Sequence, residues 1–300
     1  MTPRHPLAWL LPPWGRGEGE VADREKLAAI LGVAVDELDA IRIGPRYHYR
    51  PLVATKADGR ERRILAPSPA LKELQRRFLS GWLDDRSVHP SATAFHRWGS
   101  TVAHALPHAE SRLIATVDLR DFFESTRGGR VARWLAARGW GRDAVRVLMR
   151  LCVYRDGLPQ GAPTSPSLSN LVNFQLDERL QSLASRTGAA YTRYGDDLAF
   201  SWHEDRLPDG FTAAVEDLLS RSGYELQPLK GWRVGAARDG FEMVGLALRG
   251  DGRVRVPRAL RWRAFLLRRR AMLGGDPAIA ARSNGLDGYL KMVDRAPRFR

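Results

Sequence analysis

The chain has 300 residues, of which 44% are hydrophobic, so it can bury a large core and is not expected to be disordered. Its 48 Lys and Arg residues outnumber its 34 Asp and Glu residues, and the net charge of +14 favours a polyanionic partner such as nucleic acid. The single cysteine, Cys152, excludes an intrachain disulfide and a CxxC zinc site and predicts a reducing, cytoplasmic location.

The beginning of the chain predicts an irregular arm followed by two helices. Residues 1–21 are rich in Pro and Gly, and residues 22–43 show helical periodicity interrupted at Gly32. The apolar run at residues 7–11 is cut off by two prolines, so it is too short to cross a membrane, and it lacks the shape of a signal peptide. We therefore expect no membrane association.

The stretch YRPLVATKADGRERRILAPS predicts two strands joined at its Asp-Gly pair. A helical run follows from Pro69 to about Leu83. The predicted hairpin is crowded with basic side chains, namely Lys56, Arg60, Arg62 and Arg63. A solvated basic face and a phosphate clamp both remain open here.

The apolar run RLIATVD predicts a buried strand that ends in an acid, Asp118. Two helical stretches follow to about Tyr154, and Cys152 lies in the apolar side of the second, which indicates core packing. The next Gly/Pro loop becomes a helix with Ser165 as its predicted N-cap. The buried stripe of that helix is predicted to be Leu168, Leu171, Val172, Leu176, Leu180 and Leu183.

The stretch YTRYGDDLAF predicts a hairpin whose turn carries two adjacent carboxylates, Asp196 and Asp197. Like charges this close repel each other unless water or a cation neutralises them. The pair therefore indicates either a solvated turn or half of a metal site.

The remainder predicts an amphipathic helix near residues 211–219, two short strands across Gly250-Asp251-Gly252, and a very basic helical segment from Pro257. The basic segment is typical of a helix that lies on a nucleic-acid backbone. From residue 112 onward the order is strand, helices, paired strands, helix and strands. This order predicts an α+β fold with helices on an antiparallel sheet.

If the strand ending at Asp118 and the acidic hairpin share one sheet, three carboxylates converge at one point. Such a cluster needs divalent cations, and hard oxygen ligands favour Mg²⁺ or Mn²⁺ over zinc. Two ions there would activate a hydroxyl and stabilise a leaving pyrophosphate. Together with the basic charge, the pattern predicts nucleotidyl transfer.

The motifs VDLRDFFES, GLPQGAPTSPSLSNL and YTRYGDDLAFSW, in this order and spacing, resemble the palm motifs of reverse transcriptases, closest to the bacterial retron and group II intron branch. KADGRERRILAPSPALKELQRRFL resembles the fingers motifs. HPSATAFHRWGSTVAHALPH, MVGLALRGDGRVRVPR and NGLDGYLKMVDR resemble later parts of retron polymerases. The resemblance covers roughly residues 25–295.

The resemblance implies a right-hand polymerase fold with fingers, palm and a short helical thumb. The implied division is residues 1–21 for the arm, 22–110 for the N-terminal helices and fingers, 111–256 for the palm with inserted fingers elements, and 257–300 for the basic thumb.

The resemblance also implies catalytic roles. Asp118 and Asp196 would ligate both metal ions, with Asp197 as a weaker or indirect ligand. Phe123 would block a ribose 2′-OH and so select dNTPs, and a core aromatic is the alternative. Lys230 would assist the pyrophosphate leaving group, and an ordinary surface lysine is equally open.

Other implied contacts concern the incoming dNTP. Gln160 and Gly161 would lie against the nucleotide and template, where a backbone without Cβ permits close approach. Lys56 and Arg63 would hold the triphosphate.

Some positions depart from the usual retron pattern. His104-Ala105-Leu106-Pro107-His108 replaces Asn-Ala-x-x-His, Met243-Val244-Gly245 replaces Val-Thr-Gly, and Gly195 replaces Ala. These departures weaken the subgroup assignment but leave the acids intact. For His96, His104 and His108, packing or RNA contact is favoured over a metal cluster.

The predicted function is therefore RNA-directed DNA synthesis on a structured non-coding RNA that supplies template and primer. The family implies msDNA as product and an effector protein in anti-phage defence. Alternatives are a group II intron-like or other bacterial reverse transcriptase, and a catalytically idle RNA-binding scaffold. RNA-dependent RNA synthesis is disfavoured by Phe123.

Overall fold

The computed structural model describes residues 19–43, 48–55, 61–274 and 276–298. Its α-helices are α1 (Gly19–Leu31), α2 (Glu37–Ile43), α3 (Pro69–Phe78), α4 (Thr101–Ala105), α5 (Phe122–Ser125), α6 (Gly128–Ala137), α7 (Arg142–Cys152), α8 (Ser165–Val172), α9 (Phe174–Arg186), α10 (Phe211–Arg221), α11 (Arg258–Gly274) and α12 (Pro277–Asp294). Its strands are β1 (Tyr49–Thr55), β2 (Glu61–Pro67), β3 (Leu113–Asp118), β4 (Ala190–Tyr194), β5 (Asp197–Trp202), β6 (Arg233–Ala236), β7 (Phe241–Met243), β8 (Leu246–Leu248) and β9 (Val254–Arg255).

The chain forms two compact units, each assembled from three stretches of sequence. The first contains residues 1–89, 120–176 and 219–225, and the second contains residues 90–119, 177–218 and 226–300. Most of the predicted arm lies outside the described residues. Helix α1 begins at Gly19 rather than at residue 22, so the last arm residues are helical instead of irregular.

The first unit is built around apolar faces of its helices. Side chains of α1, α2, α3, α6, α7 and α8 form one buried cluster. Cys152 is fully buried in this cluster, which confirms the core-packing prediction. The β1–β2 hairpin is antiparallel, and its Leu65 N–H donates to the carbonyl of Gln160 at 2.7 Å. The predicted Asp58-Gly59 turn itself lies outside the described residues.

The predicted helix after the Gly/Pro loop is divided in two. Ser165 is the first residue of α8 rather than its N-cap, and its hydroxyl donates to the carbonyl of Pro159 at 2.8 Å. The helix stops at Asn173, whose side-chain amide donates to the Ser169 carbonyl and so competes with helical bonding. The predicted stripe is buried except for half-buried Val172.

The second unit contains the main sheet, in the order β4-β5-β3-β6, with antiparallel pairing throughout. A second antiparallel sheet, β7-β8-β9, packs with α4 and α12 around a separate apolar cluster. These sheets and helices confirm the α+β prediction. Among the described helices, none combines the length and the apolar character needed to cross a bilayer.

Candidate active site

Strand pairing places two of the predicted acids opposite each other. In the antiparallel β3–β5 pair, Asp118 is the direct partner of Asp197, so the two side chains share one face of the sheet. Asp118 is 9% exposed and Asp197 is partly buried, whereas Asp196 is exposed in the turn that joins β4 to β5. The Leu119 N–H donates to the Asp196 carbonyl at 3.0 Å, which ties the turn to the end of β3.

The acids line an open cleft of about 500 Å³ in the second unit. Its lining combines carboxylates, basic residues and residues of β7 and the following turn, namely Thr116, Val117, Asp118, Asp197, Lys230, Gly231, Trp232, Arg233, Glu242, Met243, Val244 and Gly245. We call this lined space the acid cleft. Two of the three predicted carboxylates, Asp118 and Asp197, line the acid cleft. Asp196 is the residue before Asp197 and is not part of the lining.

Lys230 belongs to the same site. Its ammonium group donates a hydrogen bond to the Asp118 carboxylate. The turn that carries Lys230 is attached to β3, because the Gln227 N–H donates to the Asp118 carbonyl at 2.8 Å. Lys230 is therefore directed to the acids by local backbone bonding and is more than an isolated surface lysine.

The electrostatics of the acid cleft favour a bound cation. Burial, together with the charges of Asp196 and Asp118, raises the pKa of Asp197 to about 7, and the opposing charges of Lys230 and Arg233 do not cancel this rise. Two nearby basic groups thus do not offset the burial and mutual repulsion of the acids. A divalent cation would relieve that repulsion.

The two carboxylates of the acid cleft are ligands of the kind that Mg²⁺ prefers. In the part of the chain that the structure describes, no three His, Cys, Asp or Glu side chains form a metal cage. Mg²⁺, however, is usually bound through one or two carboxylates together with waters and substrate phosphates. Asp118 and Asp197 supply two hard-oxygen ligands on one wall of an open cleft, which suits that mode of binding.

The opposite face of the same sheet holds a buried ion pair that the sequence patterns did not predict. Arg193 and Asp177 are both fully buried, with nitrogen–oxygen distances of 2.6 and 2.8 Å. Arg193 also donates to the Gly195 carbonyl at 3.3 Å, and the Tyr191 hydroxyl donates to Asp177 at 2.9 Å. The sequence did hold one signal for this pair: Arg193 lies within a strand predicted to be buried, and an arginine is almost never fully buried without a partner.

The histidines before β3 are packing residues. His108 is buried, with one ring nitrogen 2.7 Å from the Ser201 hydroxyl and the other 2.8 Å from the Thr192 hydroxyl. His104 contacts the same Thr192 hydroxyl at 2.8 Å. Burial lowers the pKa of His108 to about 3 and holds the pKa of His104 well below its usual range. Of packing and RNA contact, the two interpretations that the sequence left open, packing describes both buried residues.

The structure explains why the acidic turn contains a glycine at position 195. Gly195 has a φ of 67°, and a Cβ there would lie 3.1 Å from the ring of Phe95. Both the backbone conformation and the neighbouring ring disfavour a side chain. Phe95 was missed by sequence reasoning, because it lies 100 positions before the residue it contacts.

Phe123 and its neighbour Phe122 lie in the first unit. Phe122 is buried and stacks on Tyr224 with ring centroids 5.7 Å apart. Phe123 is partly buried against the unit's apolar cluster. The core-aromatic alternative thus describes Phe122 well and Phe123 only in part.

The remaining predicted contacts also belong to the first unit. Gly161 has a φ of 124°, and a Cβ there would meet Ile64 at 2.7 Å, so packing on β2 already requires glycine. Gln160 is bonded to β2 through its carbonyl, and Arg63 is exposed on that strand. Lys56 lies outside the described residues.

Comparison with known proteins gives a consistent family. Residues 54–247 match the family described as reverse transcriptase (RNA-dependent DNA polymerase). The chain is 31% identical to the Retron Mx162 reverse transcriptase of Myxococcus xanthus over 93% of this chain and 66% of that protein. It is 34% identical to the Retron Mx65 reverse transcriptase of the same organism over 90% of this chain and 68% of that protein.

A third relative is the Retron Ec86 reverse transcriptase of Escherichia coli, with 37% identity over 56% of this chain and 53% of that protein. The chain thus spans about two thirds of the length of the two Myxococcus relatives and about half of the Escherichia one.

Proposed function

The chain belongs to the reverse transcriptase family, the RNA-dependent DNA polymerases, and to its retron-type members, and from that premise we propose that it copies a structured non-coding RNA into DNA. The observation that carries the proposal is the acid cleft, where Asp118 and Asp197 face each other beside Lys230. The family generally uses divalent metal ions, and this cleft offers carboxylate ligands for them.

In the proposed site, Asp118 and Asp196 would hold two Mg²⁺ ions, or Mn²⁺, with Asp197 as the supporting carboxylate. When bound, the ions activate the priming hydroxyl and neutralise the departing pyrophosphate. Lys230 lies within reach of the same region and donates a proton or a hydrogen bond to the leaving group. Asp118 keeps its position through the β3–β5 pairing, so the reacting groups are pre-oriented.

We propose that the first unit binds the incoming dNTP. Lys56 and Arg63 hold its triphosphate, Gln160 and Gly161 lie against the nucleotide and template, and Phe123 excludes a ribose 2′-OH. The partly buried position of Phe123 against the apolar cluster suits such a role, because packing restrains the residue while part of it stays accessible.

The division into fingers (22–110), palm (111–256) and thumb (257–300) is part of the proposal. Helix α11 supports a nucleic-acid contact for the thumb, because it is rich in arginine and only Ala264 of it is buried. We also propose that the RNA supplies both template and primer, that the product is msDNA, and that an effector protein completes an anti-phage role. The names of the retron relatives favour this role over a group II intron-like one.

The direct test is Asp196→Ala in a primer-extension assay with an RNA template, dNTPs and Mg²⁺. Metal ligation stabilises the transition state by several kcal/mol, so we expect a loss of about 100-fold or more in the extension rate. RNA binding and the melting temperature should stay close to wild type, because Asp196 is exposed.

The matched control is Asp209→Ala, which removes an exposed acid of the same unit that forms an ion pair with Arg206. This variant should extend primers at the wild-type rate. Retained extension by Asp196→Ala would contradict the metal-ligand assignment.

Phe123→Ala tests the sugar selectivity. Removal of the ring should raise rNTP incorporation relative to dNTP incorporation by about 10-fold or more, since steric exclusion of one small group is worth that much. Competition between labelled dNTPs and rNTPs measures the ratio. An unchanged ratio in Phe123→Ala would place the selectivity elsewhere.

A further inference from the structure

The segment Phe95-His96-Arg97-Trp98, which we call the aromatic loop, adjoins the acidic turn. Its Phe95 ring lies against Gly195, next to the exposed Asp196. Two large aromatic side chains of the loop are exposed, Phe95 by 41% and Trp98 by 77%. An exposed aromatic alone is ordinary, but two of them beside a catalytic turn form a localised apolar surface.

The base of the aromatic loop is held firmly. The chain before the loop pairs with β4, since the Arg193 N–H donates to the Ser91 carbonyl at 2.7 Å and the Thr93 N–H donates to the Arg193 carbonyl at 2.8 Å. The loop closes on itself through the Gly99 N–H, which donates to the His96 carbonyl at 2.9 Å. The loop that carries the exposed rings is therefore anchored by backbone hydrogen bonds to β4, which is also a strand of the acidic hairpin.

The backbone of the loop is strained at Phe95. Its φ is 61°, a left-handed value that is rare for a bulky residue and costs free energy. Such strain persists where the surroundings enforce it, and it clusters at ligand-binding sites. In addition, the Nε2 atom of His96 is buried without a hydrogen-bond partner in the described part of the chain. The loop thus carries strain and an unpaired polar atom that its packing alone does not explain.

The chemistry of the loop matches an unpaired nucleotide. The guanidinium of Arg97 lies 5.1 Å from the centroid of the Trp98 ring, so a cation accompanies the stacking surface. Aromatic rings with neighbouring arginines bind single-stranded nucleic acid by stacking on bases and pairing with phosphates. The net charge of +14 provides the long-range attraction for such a strand.

We propose that the aromatic loop is a stacking site for an unpaired base of the priming strand, with Trp98 as the stacking surface and Arg97 as the phosphate contact. The inference rests on the proposed function. The priming strand is chosen because Phe95 lies against the acidic turn, where the proposed reaction extends that strand. It adds a substrate-positioning site outside the acid cleft. Phe95 serves as the link that ties the stacking site to Gly195.

The test uses a single-stranded oligonucleotide with 2-aminopurine at its 3′ end, titrated into the full chain without dNTPs. Stacking quenches the fluorescence of the base, so wild-type protein should quench it strongly. Trp98→Ala should abolish the quenching and raise the dissociation constant by about 5- to 100-fold, as expected for the loss of one base–aromatic stack. Trp98→Phe should restore most of both signals.

The matched control is Val35→Ala, which shortens an exposed apolar side chain, 40% exposed, in the first unit. This variant should keep the quenching at the 3′ end. Because Trp98 is exposed, its variants should melt at the wild-type temperature, which separates loss of stacking from loss of folding.

Quenching that Trp98→Ala leaves unchanged would overturn the proposal. A signal that depends on Trp98 only when 2-aminopurine is placed in a 5′ template overhang would overturn the assignment to the priming strand. Addition of dNTPs to an RNA-primed complex tests the proposed function separately. Normal DNA synthesis with unchanged stacking in Trp98→Ala would therefore refute this inference alone.

Discussion

The two faces of the main sheet each hold a cation against a carboxylate, but the surroundings of the two ion pairs differ. On one face, Arg193 and Asp177 have side chains that are both 0% exposed. On the other, Lys230 contacts Asp118, and its side chain is 48% exposed. The first pair is sealed from water, while the second opens onto the acid cleft.

The difference separates stability from chemistry. A buried pair is costly to break, because the surviving charge is left without solvent or partner. A half-exposed ammonium can leave its carboxylate at little cost, since water replaces the contact. The sheet therefore supports the acidic turn from a face that cannot rearrange easily, and it presents exchangeable ligands on the face where substrates and ions would bind.

The largest expected effect on stability comes from breaking the buried pair. Asp177→Asn leaves the Arg193 guanidinium buried without a counter-charge, so the free energy of unfolding should fall by about 3–5 kcal/mol. Urea denaturation measures this change. Asp209→Asn, which weakens the exposed pair with Arg206, is the control and should change the value by less than about 1 kcal/mol. Equal effects of the two variants would remove the contrast between buried and exposed pairs.

A smaller effect is expected from acid. His108 has a pKa near 3 when folded, against an ordinary value of 6.5, so the unfolded chain takes up a proton that the folded chain refuses. The stability contribution is complete above pH 6.5 and is lost as the pH falls toward 3, at about 1.4 kcal/mol per pH unit for each such group. His104 adds a loss of the same sign.

The measurement is the free energy of unfolding between pH 7 and pH 5. His108→Gln should flatten the slope in this range, because glutamine keeps polar contacts with Thr192 and Ser201 without titrating. An unchanged slope in that variant would show that His108 takes up its proton as readily in the folded protein as in the unfolded chain. Burial of His108 would then have no effect on its protonation.

Local patterns in the sequence predicted much of this arrangement. The alternation around YTRYGDDLAF predicted the hairpin, and the acid at the end of RLIATVD predicted that Asp118 would approach it if the strands paired. The hairpin follows from short-range alternation alone, and the approach of Asp118 needs one further condition, that the strands belong to the same sheet. The α+β class followed from the same order of elements.

The contacts that the sequence patterns missed are those between distant positions. Asp177 lies on a helix whose periodicity says nothing about a partner in β4, and Phe95 meets Gly195 across 100 positions. The break at Asn173 depends on a side-chain bond that competes with the helix, which helical periodicity does not reveal. Tertiary pairing decided each of these features.

The most direct test of the account is RNA-templated DNA synthesis by Asp118→Asn, measured together with its free energy of unfolding. The carboxylate lines the acid cleft and forms an ion pair with half-exposed Lys230. We predict a loss of synthesis of about 100-fold or more, with unfolding free energy within about 1 kcal/mol of wild type. Synthesis near the wild-type rate, or a loss explained by unfolding, would contradict the assignment of the cleft as the catalytic centre.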